Sequence, residues 1–242
     1  MSKIFIIGLP RTGTTSICIH LLDHNHRVAH NAYCENTIVQ ADVIADTPVF
    51  ADYAKLDALY PNSKFIMLER SLELWTPSIQ RLLRSMRKVI TRNVQVNANV
   101  KPITKPTIRV TTAPTEQLAQ QPIPDAAAHI TQDTIPHSIP AVSIAAFRAV
   151  FPNFDKNITL DSRYLHDCYK RHMNAVKDYF INRPLDLLYL DVSDSQACEK
   201  LHKFCLIDIS TNQLTPPKMP HVNRQRRITY WDSVEHKNKI ES

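Results

Sequence analysis

The fold is decided by the stretch Gly8-Leu9-Pro10-Arg11-Thr12-Gly13-Thr14-Thr15. It follows Lys3 to Ile7, a short apolar run rich in β-branched and aromatic residues, which predicts a buried strand. It leads into Thr14 to Leu22, which predicts a helix. Both glycines of the chain, Gly8 and Gly13, lie in this stretch. Because glycine lets backbone approach another group closely, the unit predicts an anion-binding loop at a helix N-terminus.

Strands and helices alternate along the rest of the chain. We predict strands at 43–45, 64–68 and 185–190, helices at 50–59, 72–92, 162–180 and 195–204, and regular structure at 143–150. Parallel strands need crossover connections, and helices usually supply them. The pattern therefore predicts an α/β fold of three layers, α/β/α, with a mainly parallel sheet.

One long segment interrupts this alternation. Seven of the sixteen prolines lie between Asn97 and Pro140, among many Thr, Gln and Ala residues without a clear period. We interpret residues 93–142 as a Pro/Thr-rich insertion or lid within a single domain that spans residues 1–242. Residues 224–242 are predicted to form a basic tail.

The composition limits the class of protein. Apolar residues make up 43% of the chain and charged residues 21%, as in ordinary globular proteins. The apolar run at the N-terminus is too short for a signal peptide, and no stretch approaches the ~20 apolar residues of a membrane span. The five cysteines are scattered and contain no C-x-x-C pair. These features predict a cytoplasmic protein without a membrane span.

The net charge of +6 is unevenly distributed. No carboxylate lies between Glu73 and Glu116. The cations of this band are Arg81, Arg84, Arg87, Lys88, Arg92, Lys101, Lys105 and Arg109. The band favours an anionic partner, and a solvated helix face is the alternative interpretation.

The loop differs from that of nucleoside triphosphatases in one position. Its spacing is similar to the Walker A pattern G-x-x-x-x-G-K-(S/T), but Thr14 stands where that pattern has lysine. The lysine contacts the β- and γ-phosphates, so its absence argues against ATP or GTP hydrolysis. The positive charge lies inside the loop, at Arg11.

Several strings resemble the sulfotransferases that use 3′-phosphoadenosine 5′-phosphosulfate (PAPS). Residues Pro10 to Thr15 resemble their 5′-phosphosulfate loop, Pro-(Lys/Arg)-(Ser/Thr)-Gly-(Thr/Ser)-(Thr/Ser), and Arg70 with Ser78 resembles their Arg-x(7)-Ser signature. One branch of the family is also similar at Asp46-Thr47-Pro48, Tyr60-Pro61-Asn62-Ser63-Lys64, Tyr169-Lys170-Arg171-His172, Arg183-Pro184 and Pro220-His221-Val222-Asn223. The resemblance covers residues 1–90 and 160–224 and implies a P-loop-type fold.

The resemblance implies roles for the donor-binding residues. Arg11 would stabilise the leaving group. The 5′-phosphate would bind to the loop residues Pro10, Arg11, Thr12, Gly13, Thr14 and Thr15. Arg70 and Ser78 would bind the 3′-phosphate, which distinguishes PAPS from ATP-like nucleotides. Arg224, in a basic group with Arg226 and Arg227, is a candidate to close the nucleotide site.

Two residues are candidates for the general base that removes the acceptor proton. Asp46 follows the predicted second strand and precedes Thr47-Pro48, where cytosolic sulfotransferases place a His-x-Pro base. His30 is the second candidate, and a structural or acceptor-orienting role is the alternative for it. The other histidines form no recognisable group, and His24 and His26 are predicted to be surface turn residues.

The prediction is thus a PAPS-dependent sulfotransferase that needs no metal and acts on a small-molecule or glycan acceptor. Two alternatives stay open. One is a kinase-like phosphotransferase that uses ATP through the same fold. The other is a catalytically silent P-loop protein that acts by binding. No nucleic-acid-binding motif is present, so no nucleic acid partner is predicted.

Overall fold

The computed structural model describes residues 2–99, 138–206, 219–220 and 231–242, with only the backbone described for residues 94–99. The strands are β1 (Ile4–Ile6), β2 (Val28–Ala29), β3 (Val43–Ala45), β4 (Lys64–Glu69) and β5 (Leu187–Asp191). The helices are α1 (Thr14–Asp23), α2 (Glu35–Gln40), α3 (Val49–Leu59), α4 (Leu72–Asn99), α5 (Ala141–Val150), α6 (Ser162–Tyr179) and α7 (Ala197–Cys205). Short 3-10 turns lie at Pro184–Asp186 and Trp231–Ser233.

The described strands form one parallel sheet in the order β2-β3-β1-β4-β5. From β1 the chain moves to one side of the sheet through β2 and β3, and it then crosses to β4 and β5 on the other. In open α/β sheets, ligands bind outside the carboxyl ends of the strands at such a reversal. The topology therefore directs attention to the edge of the sheet where β1, β3 and β4 end.

Alternate residues of the central strand face two different helical layers. Ile6 packs in a core with α1 and α7, whereas Phe5 and Ile7 pack in a second core with α3 and α6. A third core joins α4, α5 and α6, and the fully buried Trp75 lies within it. Two helical layers on one sheet give the predicted three-layer α/β/α arrangement, and the P-loop-type fold class is confirmed.

The predicted elements agree with the structure to within about two residues, with three differences. The two-residue strand β2 and the six-residue helix α2 have no counterpart in the prediction, because such short elements carry no measurable period. Helix α4 continues to Asn99, and α5 begins at Ala141, so both ends of the predicted insertion are helical. Residues 100–137 of the insertion lie outside the described residues.

The C-terminal segment pairs with the edge of the sheet. The Val28 N–H donates to the Asn238 carbonyl at 3.0 Å, and the Ile240 N–H donates to the Val28 carbonyl at 2.9 Å. Residues 238–240 of the predicted basic tail therefore pair with β2. Within the part of the chain that the structure describes, no helix is long and apolar enough to cross a bilayer.

Candidate functional site

The loop between β1 and α1 has two positions that demand glycine. A Cβ on Gly8 would lie 2.4 Å from the Leu68 Cβ, so β4 leaves no room for a side chain there. Gly13 has φ +111°, a conformation that L-residues rarely adopt, and a Cβ there would meet Val192 at 2.6 Å. Both predicted loop glycines are thus explained by close packing and backbone conformation.

Helix α1 begins at this loop without a side-chain cap. Its N-cap is Gly13, and among the described residues the helix has no side-chain capping hydrogen bond. The first N–H groups of a helix have no partner within the helix and carry the positive end of its dipole. An anion is a suitable partner for these groups, as the sequence predicted for residues 8–15.

Pro10 and Thr12 hold the shape of the loop. The Trp75 Nε1–H donates to the Pro10 carbonyl at 3.0 Å. The buried Thr12 donates its hydroxyl to the Leu9 carbonyl at 2.6 Å. In this arrangement Thr12 contributes its side chain to the turn, and Trp75 is a core residue that supports the loop.

The two candidate bases meet at the start of α1. Thr14 Oγ1 donates to Asp46 Oδ2 at 3.3 Å, and Thr15 Oγ1 lies 3.2 Å from His30 Nε2. His30 Nε2 and Asp46 Oδ2 are themselves 3.8 Å apart. The fold therefore unites the loop, the end of β3 and the segment after β2 in one polar group.

Asp46 and His30 differ in their surroundings. Asp46 has φ 57°, a left-handed conformation that Asp tolerates, and its second oxygen accepts from the Thr47 hydroxyl at 3.2 Å. His30 is buried, and burial lowers its pKa below the usual 6.5, although the carboxylates of Asp46 and Asp232 oppose this shift. Its Nδ1 has no hydrogen-bond partner among the described residues. A neutral His30 beside a carboxylate is suited to orienting or accepting a proton.

A second polar group lies where β4 joins α4. Arg11 donates its Nε–H to Ser78 Oγ at 2.9 Å, and Arg70 donates from Nη1 to the Arg11 carbonyl at 2.7 Å. Ser78 is buried and Arg70 is half-buried. Burial, with a smaller contribution from Arg81, lowers the pKa of Arg70, while Asp191 acts in the opposite direction. Two guanidinium groups and a hydroxyl thus converge beside the loop, and donors of this kind suit a phosphate.

The remaining predicted residues have different outcomes. Arg224, Arg226 and Arg227 lie outside the described residues, as do His221 to Asn223. Arg81, Arg84 and Lys88 are exposed on α4 and fit the solvated face that was the alternative for the basic band.

Trp231 is a site neighbour that the sequence analysis missed. Its ring stacks on His30 with centroids 5.2 Å apart, and it is buried. The one available signal was that the chain has only two tryptophans and this one follows the basic group at 224–227.

The prediction that the other histidines form no group was wrong. His20, His24 and His202 each offer a ligand atom, and these atoms all lie within 4.8 Å of one another. His24 lies in the turn that ends α1, as predicted, and both His24 and His26 are partly buried. Since 182 residues separate His20 from His202, only the tertiary fold brings this group together.

Comparison with known families adds one finding. The model of a family described as sulfotransferase domain matches residues 22–228, more than four fifths of the chain. The match begins inside α1 and does not include the loop at residues 8–15. The interpretation of that loop therefore rests on the geometry described above and not on the family match. None of the curated proteins matches the chain.

Proposed function

Because the chain belongs to the sulfotransferase domain family, we propose that it transfers a sulfuryl group from PAPS to a hydroxyl or amine of a small-molecule or glycan acceptor. The observation that carries the choice of donor is the group of Arg11, Arg70 and Ser78 beside the uncapped start of α1. In the proposal, the start of α1 is one anion-binding site and the group of Arg11, Arg70 and Ser78 is a second one at the same edge of the sheet. A nucleotide with a phosphate at each end requires two such sites.

The residues fit such a donor. In the proposal, the first N–H groups of α1 and the Thr15 hydroxyl bind the 5′-phosphate, and Arg70 and Ser78 bind the 3′-phosphate. Ser78 accepts a hydrogen bond from Arg11 and can still donate its own proton to a phosphate oxygen, because a hydroxyl is both donor and acceptor. When bound, the donor supplies an SO₃ group attached to a phosphate leaving group.

Arg11 is proposed to stabilise the charge that develops on the leaving phosphate. Its carbonyl is held by Arg70 and its Nε–H by Ser78, so its guanidinium is oriented before the donor binds. Donors oriented in advance stabilise developing charge without a reorganisation cost during the reaction.

We assign the general base to Asp46 and an orienting role to His30. Asp46 lies at the carboxyl end of β3, next to the start of α1, and is less deeply buried than His30. His30 is fixed between Thr15 and the Trp231 ring. A carboxylate held in this way can accept a proton from an acceptor that approaches from the edge of the sheet.

Ligand-induced thermal stabilisation tests the choice of donor. We expect 3′-phosphoadenosine 5′-phosphate to raise the melting temperature by several degrees, because a ligand at 100 times its Kd adds about 2.7 kcal/mol. Adenosine 5′-monophosphate is the matched control, since it lacks only the 3′-phosphate, and it should stabilise much less. Equal stabilisation by ATP would favour the phosphotransferase and contradict the proposal. No stabilisation by any nucleotide would contradict nucleotide binding altogether.

The acceptor class is open to a direct screen. Labelled donor is incubated with carbohydrate, phenol, lipid and peptide acceptors, and transfer of the label is measured. The proposal predicts transfer to at least one class, and transfer to none would contradict a sulfotransferase activity.

A further inference from the structure

Three histidine side chains from two helices meet on the side of the sheet that α1 and α7 cover. His20 lies in the last turn of α1, His24 is the C-cap residue that follows this helix, and His202 lies in the last turn of α7. His20 Nε2 and His202 Nε2 are 2.7 Å apart. The three rings lie with centroids 4.3 to 5.0 Å apart. His20 and His202 are almost fully buried, whereas His24 is half-exposed and gives access from solvent.

The spacing and the helix ends both favour a cation. Histidines four positions apart on a helix project from one face, as in metal-binding H-x3-H helices. Both α1 and α7 follow parallel strands, β1 and β5, and both direct their carboxyl ends toward this group. The carboxyl end of a helix carries partial negative charge, and two such ends stabilise a cation between them.

Hydrogen bonding prepares the ring nitrogens. His24 Nδ1 lies 2.7 Å from the His20 carbonyl, which can only accept, so the ring proton of His24 is on Nδ1 and its Nε2 carries a lone pair. A backbone carbonyl that binds the second nitrogen is the usual support of a metal-binding histidine.

We propose that His20, His24 and His202 bind one divalent transition-metal ion of the zinc class. Without the ion, one proton lies between His20 Nε2 and His202 Nε2. The ion takes the place of this proton, and the ring that carried it on Nε2 then carries it on Nδ1. Nitrogen ligands of a tetrahedral zinc ion lie about 3.3 Å apart, given Zn–N bonds of about 2.0–2.1 Å. His20 Nε2 and His202 Nε2 are 2.7 Å apart, and all three ligand atoms lie within 4.8 Å of one another. Because these distances lie on either side of the distance expected around zinc, small side-chain rotations suffice to bring the three nitrogens to the ion.

When His202 Nε2 binds the ion, the proton of that ring is on Nδ1. His202 Nδ1 has no hydrogen-bond partner among the described residues. The described residues supply three ligands, and water completes a four-coordinate site of this kind.

The site has a structural role, separate from the proposed transfer chemistry. His24 follows the ten residues of α1, which begin at Thr14, so the two residues are about 15 Å apart along the helix. The ion therefore ties the end of α1, whose start forms the phosphate loop, to α7. This inference revises the expectation from sequence that the protein binds no metal.

Metal titration of the full chain, purified without a histidine tag and freed of metal with a chelator, tests the proposal. Co²⁺ is expected to bind at one ion per chain and to give the visible absorption bands of a tetrahedral site, and Zn²⁺ to displace it. Zn²⁺ should also raise the melting temperature. Absence of stoichiometric binding would overturn the proposal.

Three variants assign the ligands. His24→Gln, at a half-exposed position, should fold normally and reduce Zn²⁺ affinity at least tenfold, and His202→Gln should do the same if circular dichroism shows it folded. His26→Gln is the matched control in the same turn, and its affinity should equal that of the wild type. Unchanged affinity in His24→Gln, or an equal loss in His26→Gln, would refute the assignment.

Discussion

At the scale of single residues, Arg11 has an unusual backbone conformation. Its φ of 74° lies in the left-handed region, where a residue other than Gly, Asn or Asp stores about 1–3 kcal/mol of strain. Contacts on both sides of the residue hold it there, from Trp75 to the Pro10 carbonyl and from Arg70 to the Arg11 carbonyl. Glycine would adopt this conformation without strain, so the presence of arginine supports a role for its side chain.

We expect Arg11→Ala to lose transfer activity while the protein stays folded. Alanine keeps the same backbone strain but removes the guanidinium, and loss of one such electrostatic contact lowers kcat by about 10²–10³. Single-turnover transfer of labelled donor measures the loss. Arg11→Lys keeps the charge but not the planar Nε–H donor to Ser78, so its activity should lie between the two. An Arg11→Ala variant with wild-type kcat would remove Arg11 from the mechanism.

The acid–base assignment is also decided at single residues. Asp46→Asn keeps the size of the side chain but removes its basicity, and we expect kcat to fall about 10²–10⁴-fold with unchanged donor affinity. His30→Gln should cause a smaller loss if His30 only orients Asp46. The reverse order of the two losses, with an acid limb of the pH–rate profile that disappears in His30→Gln, would transfer the role of base to His30.

At the scale of elements, the proposed 3′-phosphate site takes its residues from three parts of the chain. Arg70 follows β4, Ser78 lies in α4, and Arg11 follows β1. Tyr169 of α6 accepts from the Arg70 N–H at 3.2 Å and so fixes the end of β4. No single element contains the site, and its geometry requires the packing of α4 and α6 against the edge of the sheet.

Arg70→Ala should therefore weaken the binding of 3′-phosphoadenosine 5′-phosphate, the product of the donor, more than the binding of adenosine 5′-monophosphate. A hydrogen bond to a charged group is worth about 1.5–3 kcal/mol, which corresponds to a tenfold to hundredfold loss of affinity for 3′-phosphoadenosine 5′-phosphate. Calorimetric titration with both ligands measures the difference. Arg84→Ala, which removes an exposed guanidinium of α4, is the matched control and should change neither affinity. Equal weakening of both ligands by Arg70→Ala would place Arg70 away from the 3′-phosphate.

At the scale of the whole molecule, buried histidines couple stability to pH. His172 of α6 donates from Nε2 to the Ile7 carbonyl at 3.1 Å, and burial lowers its pKa from 6.5 to about 4. Between these values the unfolded chain binds a proton that the folded protein does not, so acid favours unfolding.

We expect the free energy of unfolding to decrease as the pH falls from 7 to 4. His172 alone contributes a decrease of up to roughly 3 kcal/mol, since each pKa unit corresponds to about 1.36 kcal/mol. Urea unfolding at several pH values measures this. His172→Asn should be less stable at pH 7 but less sensitive to acid, and parallel pH profiles for the two proteins would show that His172 does not cause the decrease.

The sequence predictions are accurate where a feature depends on residues close together in the chain, and they fail where it depends on residues far apart. Strands β1, β3 and β4 were predicted because each is a continuous apolar run bounded by turn residues, a signal that is local. Strand β2 has two residues and is stabilised by its neighbours β3 and the C-terminal segment, so it left no local signal. Arg11, Asp46 and Arg70 were proposed from the resemblance to sulfotransferase motifs. Each lies shortly after a predicted strand, and parallel strands end at one edge of a sheet.

The sequence by itself determined the three-layer parallel fold, the glycine-containing loop at Gly8 to Thr15 and the residues that follow each strand. These features depend on residues close to one another in the chain, where apolar period, glycine and turn chemistry act directly. The tertiary structure alone decided that Arg11 contacts Ser78, that His30 stacks on Trp231 and that His20 meets His202. Such contacts join residues far apart in sequence, and they depend on how helices pack on the sheet, which no local pattern encodes.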